Sequence, residues 1–207
     1  MRPRPTPAVP AAPAKAIKPA ARGGPPREVR LIGGLWKRSK LPVADRPGLR
    51  PTPDRVRETL FNWLGQDLSG WRCLDAFAGS GALGFEAASR GAAEVVLIER
   101  DPLLARGLLA SQQRLKADAL RVETADALAW MRRCAPQRFE LILLDPPFDA
   151  GLLPDALRAA VALLTAGGLV YAECAQALMP ADLPAGLDIW RQARAGSVHY
   201  HLLRRNT

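Results

Sequence analysis

Residues 72–84 read Arg72-Cys73-Leu74-Asp75-Ala76-Phe77-Ala78-Gly79-Ser80-Gly81-Ala82-Leu83-Gly84, an apolar segment that ends in an acid and is followed by three glycines. Glycine permits a positive φ and lets a ligand come close to the backbone. The spacing Gly79-x-Gly81-x-x-Gly84 fits a strand, a glycine loop and a helix that open a nucleotide-binding βαβ unit. We therefore expect an α/β fold, with its first parallel strand at residues 72–76 and a helix at residues 82–90.

An acidic residue about 20 positions further on is expected to hold ribose hydroxyls, and Glu99 occupies that place. A nicotinamide-dependent dehydrogenase would share this pattern. Asp75 argues against it, because a carboxylate just before the glycines repels a pyrophosphate and attracts an α-ammonium group. These features favour S-adenosylmethionine, with its amino-acid end at the glycine loop and its adenine near Asp126. The expected contact residues are Asp75, Phe77, Ala78, Gly79, Gly81, Glu99, Arg100, Asp126 and Ala127.

Strand-like and helix-like segments alternate along the chain, which predicts a mostly parallel sheet with helices on both faces. Ligands bind such sheets beyond the carboxyl ends of the strands. Four acids are expected at that edge: Asp75, Glu99, Asp126 and Asp145. The segments 188–193 and 198–203 are expected to form an antiparallel pair that completes the sheet. The other predicted helices are 54–64, 102–117, 126–134 and 151–164, and the other predicted strands are 94–99, 120–124, 139–145 and 168–174.

The tetrapeptide Asp145-Pro146-Pro147-Phe148 follows the apolar segment 139–144. Because proline has no N–H, the carboxylate and carbonyls at this strand end remain free acceptors. Hydrogen bonds from both N–H groups of an exocyclic amine to Asp145 and to the Pro146 carbonyl would free the amine lone pair for attack on a methyl group, while Phe148 stacks on the base. The other interpretation is a Pro-Pro turn with Asp145 as a surface cap. We predict Asp145, Pro146, Pro147 and Phe148 as the catalytic residues, with no metal.

The formal net charge is +9, and the excess lies near the N-terminus, where residues 1–50 contain 12 Lys and Arg against 2 acids. This asymmetry predicts an arm that binds a polyanion such as RNA with a salt-dependent affinity. Residues 30–40 are expected to form a basic hairpin. Arg57 could bind RNA or could equally form a local ion pair with Glu58. The candidate RNA-binding residues are Arg30, Trp36, Lys37, Arg38, Lys40, Arg50, Arg55 and Arg57.

Hydrophobic residues make up 48% of the chain and charged residues 24%, as is usual for a globular domain. Residues 1–27, rich in Pro, Ala, Gly and Arg, are expected to be a disordered tail, since the prolines would break the amphipathic helix of a transit peptide. No apolar run approaches the roughly 18 residues of a membrane span. Cys73, Cys134 and Cys174 are too widely spaced for a zinc site and predict a reducing compartment. No repeat or heptad indicates a partner, so we expect a cytoplasmic monomer.

Three segments together resemble the bacterial family that methylates the N2 amine of one guanine, guanine 966, in 16S ribosomal RNA. They are Arg50-Pro51-Thr52-Pro53-Asp54-Arg55-Val56-Arg57-Glu58-Thr59-Leu60-Phe61-Asn62-Trp63-Leu64, Asp75-Ala76-Phe77-Ala78-Gly79-Ser80-Gly81-Ala82-Leu83-Gly84 and Asp145-Pro146-Pro147-Phe148. The last two are shared by many amino-group methyltransferases, and the first is more particular to this family. The family usually has a glycine where Arg38 stands.

The resemblance covers residues 30–205 and implies a class I methyltransferase fold with a seven-stranded, mostly parallel sheet. It also implies S-adenosylmethionine as methyl donor and the 16S ribosomal RNA of the small subunit, or of its assembly intermediate, as acceptor. The implied organisation is a tail at residues 1–27, a basic hairpin and helix for RNA binding at residues 28–66, and a catalytic domain at residues 67–207.

Two other functions remain open at this point. An amino-methyltransferase that acts on adenine N6 in DNA or on a protein glutamine would share residues 145–148 but would need its own target-recognition segment. A non-enzymatic RNA-binding assembly factor would keep the same residues as a vestigial site. Asp145→Ala separates the enzyme from such a factor, because only an enzyme would lose methylation while RNA binding persists.

Overall fold

The computed structural model describes residues 27–46 and 51–206, which form a two-stranded hairpin and a seven-stranded sheet with helices on both faces. The strands are β1 (Arg27–Arg30), β2 (Lys40–Val43), β3 (Arg72–Asp75), β4 (Glu94–Glu99), β5 (Leu120–Thr124), β6 (Phe139–Leu144), β7 (Leu164–Cys174), β8 (Leu187–Ala195) and β9 (Val198–Arg205). The helices are α1 (Asp54–Leu64), α2 (Ala82–Ser89), α3 (Pro102–Leu115), α4 (Ala127–Arg133) and α5 (Leu153–Leu163).

The large sheet has the strand order β5-β4-β3-β6-β7-β9-β8. Strands β3 to β7 are parallel, whereas β9 is antiparallel to both β7 and β8. This confirms the predicted α/β fold and the antiparallel C-terminal pair. Strand β7 starts at Leu164, earlier than predicted, because Leu164 pairs with Phe139 before a bulge interrupts the register.

The two faces of the sheet bury different residues because side chains alternate along each strand. Cys73, Leu97 and Leu143 point to the face covered by α1, α2 and the hairpin. Leu74, Ile98 and Ile142 point to the opposite face, covered by α4 and α5. The hairpin and α1 thus share one hydrophobic core with the sheet, and the predicted boundary between residues 66 and 67 remains a prediction.

The basic hairpin has a different form from the one predicted, since its strands flank residues 31–39 and those residues form the connecting loop. The loop is fixed to the last turn of α2. Ser89 accepts hydrogen bonds from the Leu35 N–H at 2.7 Å and the Trp36 N–H at 2.9 Å, and its hydroxyl donates to the Gly33 carbonyl. Arg38 has φ of 72°, a left-handed conformation that favours glycine, in agreement with the residue usual in the family.

A group of buried charges, which we call the paired cluster, consists of Arg57, Glu86 and Arg90. Glu86 lies 3.2 Å from Arg57 Nη1 and 2.8 Å from Arg90 Nη2. Arg57 also donates to the Arg30 carbonyl at 2.8 Å and is 0% exposed. The prediction that Arg57 binds RNA is therefore wrong, because every part of its guanidinium is used inside the protein; its alternative partner Glu58 is also wrong.

Helix α1 begins after Pro53, without a side-chain cap from Thr52 or Asp54. Within residues 27–46 and 51–206, no helix has the length and apolar character needed to cross a membrane. The predictions for the tail at residues 1–26 and for Arg50 concern positions outside the described residues.

Candidate active site

The carboxyl ends of the parallel strands bring the predicted acids to one edge of the sheet. Asp75 is the last residue of β3 and Glu99 the last of β4, while Asp145 directly follows β6. Asp126 follows β5 and caps α4, since its side chain accepts from the Ala129 N–H at 2.8 Å. The predicted placement of these four acids at one edge is confirmed.

The glycine loop closes tightly against the sheet. Gly79 and Gly81 have φ of 51° and 79°, so the loop turns through conformations that other residues rarely adopt. A Cβ on Gly84 would lie 2.2 Å from Leu97 Cδ2, so any larger residue would force the buried Leu97 side chain to move. The Gly84 N–H donates to Asp75 Oδ2 at 3.0 Å. The first acid of the site thus holds the start of the helix.

Burial raises the pKa of Asp75 to about 7, and the nearby charge of Glu99 adds to this effect. Backbone N–H groups of Gly84 and Phe77 oppose it. A carboxyl of this kind ionises only near neutral pH unless a cation lies beside it, because a charge buried without a partner is costly. Phe77 is half-buried beside it and Ala78 is buried.

Glu99 is buried and accepts backbone hydrogen bonds with both oxygens, from Gly79 N at 2.9 Å and from Asp101 N at 2.8 Å. Each carboxylate oxygen has room for a second donor, so these bonds leave capacity for ribose hydroxyls. Arg100 is exposed beside it, and Ala127 is buried in the first turn of α4. The residues predicted to contact the methyl donor therefore lie along the carboxyl edge of the sheet.

Asp145 lies next to Glu173, a residue that the sequence reasoning missed. Leu144 of β6 pairs with Ala172 of β7, so the following residues, Asp145 and Glu173, are neighbours on the same face. Glu173 Oε1 accepts from the Tyr171 hydroxyl at 2.8 Å and from the Thr52 hydroxyl at 2.9 Å. An acid inside the apolar strand 169–174 was the available signal for Glu173, whereas nothing local in the sequence indicated its contact with Thr52.

The pKa of both carboxyls is raised. Burial raises the pKa of Asp145 well above its ordinary value, and the charges of Glu173 and Asp75 raise it further, against a weaker opposing effect of the Thr52 hydroxyl. Burial also raises the pKa of Glu173, while the hydroxyls of Tyr171 and Thr52 oppose this. The hydroxyl donors therefore favour the ionised form of Glu173, and Asp145 retains the proton more readily.

We call Asp75, Glu99, Asp145 and Glu173 the acidic row. All four lie on the same face of the sheet by strand alternation, at its carboxyl edge. Within the described residues, none of the four forms an ion pair with Lys, Arg or His. Four close acids without a cation are complementary to a positively charged ligand.

The residues after Asp145 have contrasting exposure. Pro146 is buried and Pro147 is exposed. Phe148 begins a short 3₁₀ turn, Phe148–Ala150, and its side chain is 46% exposed. A large aromatic ring left accessible beside a partly buried carboxyl can stack on a planar group bound there.

The predicted RNA-binding residues lie in two places. Lys37 and Arg38 are exposed on the hairpin loop, where Trp36 is half-buried. Arg55 is exposed in the first turn of α1, three residues after the Thr52 that donates to Glu173 of the acidic row. Because α2 starts at the carboxyl edge and the loop binds its last turn, the loop lies about 12 Å away from that edge, at roughly 1.5 Å per helical residue. Two others are already in surface ion pairs: Arg30 with Asp54 at 3.0 Å and Lys40 with Glu28 at 2.7 Å.

A groove of about 930 Å³ lies at the opposite end of the sheet, away from the acidic row. Its lining includes Trp63, Trp71 and Trp190, with Arg204 stacked 4.0 Å above the Trp190 ring. The size of this groove does not make it the active site, because it contains no group of acids or nucleophiles comparable with the acidic row.

Comparison with known proteins agrees with this geometry. Residues 29–204 match the family described as Conserved hypothetical protein 95. Ribosomal RNA small subunit methyltransferase D of Escherichia coli K12 is 42% identical over 184 residues, which are 86% of this chain and 90% of that protein. The protein of the same name from Haemophilus influenzae is 39% identical over 189 residues, 89% of this chain and 95% of that one.

Solved structures give the same result for the fold. An Escherichia coli methyltransferase is 41% identical and covers 86% of this chain and 98% of its own, with a TM-score of 0.76. The precorrin-6y C5,15-methyltransferase of Geobacter metallireducens has a TM-score of 0.58, covers 80% of this chain and 94% of its own, and is 15% identical. That likeness concerns the fold alone.

Proposed function

Since the chain belongs to the ribosomal RNA small subunit methyltransferase D family, we propose that it transfers a methyl group from S-adenosylmethionine to the N2 amine of one guanine in 16S ribosomal RNA. The observation that carries this proposal is Asp145, a partly buried carboxyl at the end of β6, between the unpaired acids of the row and the exposed ring of Phe148. The proposed substrate also implies action in the cytoplasm.

The acidic row fits the proposed donor. S-adenosylmethionine, when bound, supplies an electrophilic methyl group on a positively charged sulfonium and also carries an α-ammonium group. Unpaired carboxylates at a water-poor edge attract such charges more strongly than exposed acids do. Glu99 has capacity for ribose hydroxyls, and Asp75 holds the glycine loop through Gly84. The nearby Asp126 and Ala127 would border the adenine.

The acceptor amine would be held by Asp145 and Pro146. Two N–H groups need two acceptors, and the Asp145 carboxylate and Pro146 carbonyl belong to consecutive residues, with no proline N–H to compete. These bonds favour the pyramidal amine, whose lone pair is available for attack, and Phe148 would stack on the base. Orientation of this kind contributes on the order of 7–11 kcal/mol in the best cases.

RNA contacts would come from both ends of the extension. Arg55 is exposed in the first turn of α1, three residues after Thr52, and Lys37 and Arg38 are exposed on the hairpin loop at the far end of α2. A partner that reaches both places must extend beyond a single nucleotide. This supports a folded RNA or a subunit assembly intermediate as the acceptor.

The test is methyl transfer from labelled S-adenosylmethionine to unmethylated small ribosomal subunits, naked 16S ribosomal RNA and duplex DNA, with the modified nucleoside identified by mass. We expect label in N2-methylguanosine from the ribosomal substrates. Label in N6-methyladenine from DNA would contradict the RNA assignment. Absence of label from every substrate, despite donor binding, would contradict the proposed reaction.

A further inference from the structure

We propose that Glu173 is a positioning residue that makes Asp145 the acceptor of the proton released by the guanine amine, with Tyr171 and Thr52 holding the Glu173 carboxylate in place. This inference rests on the proposed function and deepens it. It assigns a role to a buried acid that the tetrapeptide 145–148 does not contain.

The pairing of β6 with β7 places Asp145 and Glu173 beside each other. Adjacent parallel strands lie about 4.8 Å apart, and Asp145 and Glu173 follow a directly paired couple, Leu144 and Ala172. The backbone positions of the two acids are therefore held side by side by the sheet, with both side chains on the same face. Glu173 is also 4% exposed, so water screens its charge poorly.

The hydrogen bonds of the two acids indicate which of them carries the negative charge. Tyr171 and Thr52 both donate to Glu173 Oε1, and hydroxyl donors stabilise a carboxylate over a carboxylic acid. The Tyr171 hydroxyl keeps its own proton, because burial and the charge of Glu173 raise its pKa. Glu173 is thus the held anion, and Asp145 is the acid whose proton affinity is increased by that anion.

Asp145 has other titratable and charged groups around it besides Glu173. Asp75 on β3 raises the pKa of Asp145 further when it is itself ionised, and Glu99 on β4 lies beyond Asp75. Tyr200 on β9 contributes a phenol, and Arg57 on α1 donates to the Thr52 carbonyl and to Glu86 of the paired cluster. No cation among the described residues faces Asp145. The charge that lets Asp145 ionise must therefore come from a ligand.

The proton balance of the reaction follows from this arrangement. With a cationic donor bound, Asp145 is a carboxylate and accepts a hydrogen bond from the amine. A bond then forms between N2 and the methyl carbon while the carbon–sulfur bond breaks and its electron pair stays on sulfur. The positive charge has moved to N2, and the sulfur is neutral. The N2 proton passes to Asp145, whose proton affinity is high again because Glu173 remains charged beside it.

The test compares Glu173→Gln with wild type and with Glu140→Gln. The glutamine keeps an oxygen that accepts from Tyr171 and Thr52 but removes the charge. Glu140 is the matched control, since it lies at the start of β6, the strand that Asp145 follows, and pairs with Arg72 at 2.8 Å. Proton release on binding is measured by calorimetry in buffers of different ionisation enthalpy, once with S-adenosylmethionine and once with S-adenosylhomocysteine, which lacks the sulfonium charge.

We expect wild type and Glu140→Gln to release about half a proton more with the cationic ligand than with the neutral one near pH 7, by linkage to the displaced acid. In Glu173→Gln this difference becomes smaller, because one of the two charges that raise the pKa of Asp145 has been removed. Its kcat should fall about tenfold or more, as for loss of proton transfer, and by a larger factor than the KM for the donor changes. Tyr171→Phe should change both quantities in the same direction by a smaller amount.

The proposal is overturned if Glu173→Gln keeps the wild-type difference in proton release. It is also overturned if the variant loses donor affinity, kcat and thermal stability together while that difference persists, since this indicates a purely structural residue. Wild type that shows the difference but methylates no ribosomal substrate would contradict the proposed function and leave the effect of Glu173 on Asp145 standing.

Discussion

Two groups of buried charged side chains lie on the same face of the sheet, and they differ in their partners. The paired cluster contains two arginines around Glu86, with each charge in contact with one of opposite sign. The acidic row contains four acids and, within the described part of the chain, no cation. The ion pairs of the paired cluster hold the hairpin and α1 on the core. The acids of the acidic row lack such a partner among the described residues, which indicates that they bind a positively charged ligand.

The largest loss of activity is expected from a substitution in the acidic row. Asp145→Ala removes the acceptor of the amine and of its proton, so methyl transfer should fall by about 10²- to 10⁴-fold. RNA affinity should change little, because the basic residues are untouched. Turnover and RNA binding are measured with small subunits as substrate. Asp149→Ala, an exposed acid in the following turn, is the control and should retain activity.

A substitution in the paired cluster should lower the free energy of unfolding and should not act on the methyl-transfer step itself. Glu86→Gln removes the counter-charge of Arg90 and leaves the buried Arg57 with only the partly exposed Asp54, which should lower the free energy of unfolding by about 3–5 kcal/mol. Glu173→Gln removes a repelling charge and should not lower it at pH 8. Denaturant titrations of the two variants measure this contrast, and an equal loss in both would contradict the distinction between the two groups.

The raised pKa of Asp75 predicts how the free energy of unfolding depends on pH. Its pKa is about 7 when folded and 3.8 in its ordinary state, so the folded protein binds more protons between these values. Its contribution should therefore make stability fall as pH rises from 4 to 7, by at most about 1.4 kcal/mol per pH unit. Asp75→Asn should flatten this part of the profile. An unchanged slope in thermal or denaturant unfolding would contradict the assignment.

The smallest effect is expected on the hairpin loop. Arg38→Gly and Arg38→Ala both remove one exposed charge, so each should reduce the salt dependence of RNA binding by about one counterion. Only glycine relieves the left-handed backbone, so Arg38→Gly should be about 1 kcal/mol more stable than Arg38→Ala. Equal stability of the two would contradict the backbone argument, and unchanged RNA binding in both would remove this loop from the RNA interface.

The sequence was sufficient where the signal is local. Helix 54–64 and strands 94–99 and 120–124 were predicted with the bounds that the structure has, because each is set by its own apolar pattern and turn residues. The four acids at the carboxyl edge followed from the rule that a parallel sheet gathers its strand ends. The resemblance to the family is likewise carried by short contiguous motifs.

The parts that were missed depend on contacts between distant residues. The hydroxyl of Thr52 meets Glu173 across 121 positions, and Arg57 meets Glu86 across 29. No window of sequence contains both members of either pair. Sequence reasoning therefore places Arg57 at the surface, although its guanidinium is buried and pairs with Glu86 on another element.

The central claim is that the acidic row binds the cationic methyl donor, and the most direct measurement is a crystal structure of the protein with S-adenosylhomocysteine. We expect the ligand along the carboxyl edge, with its amino-acid end at the glycine loop, its ribose hydroxyls on Glu99 and its sulfur facing Asp145. A ligand that instead occupies the tryptophan-lined groove at the opposite end of the sheet, or that leaves Glu99 without a ribose contact, would contradict the account.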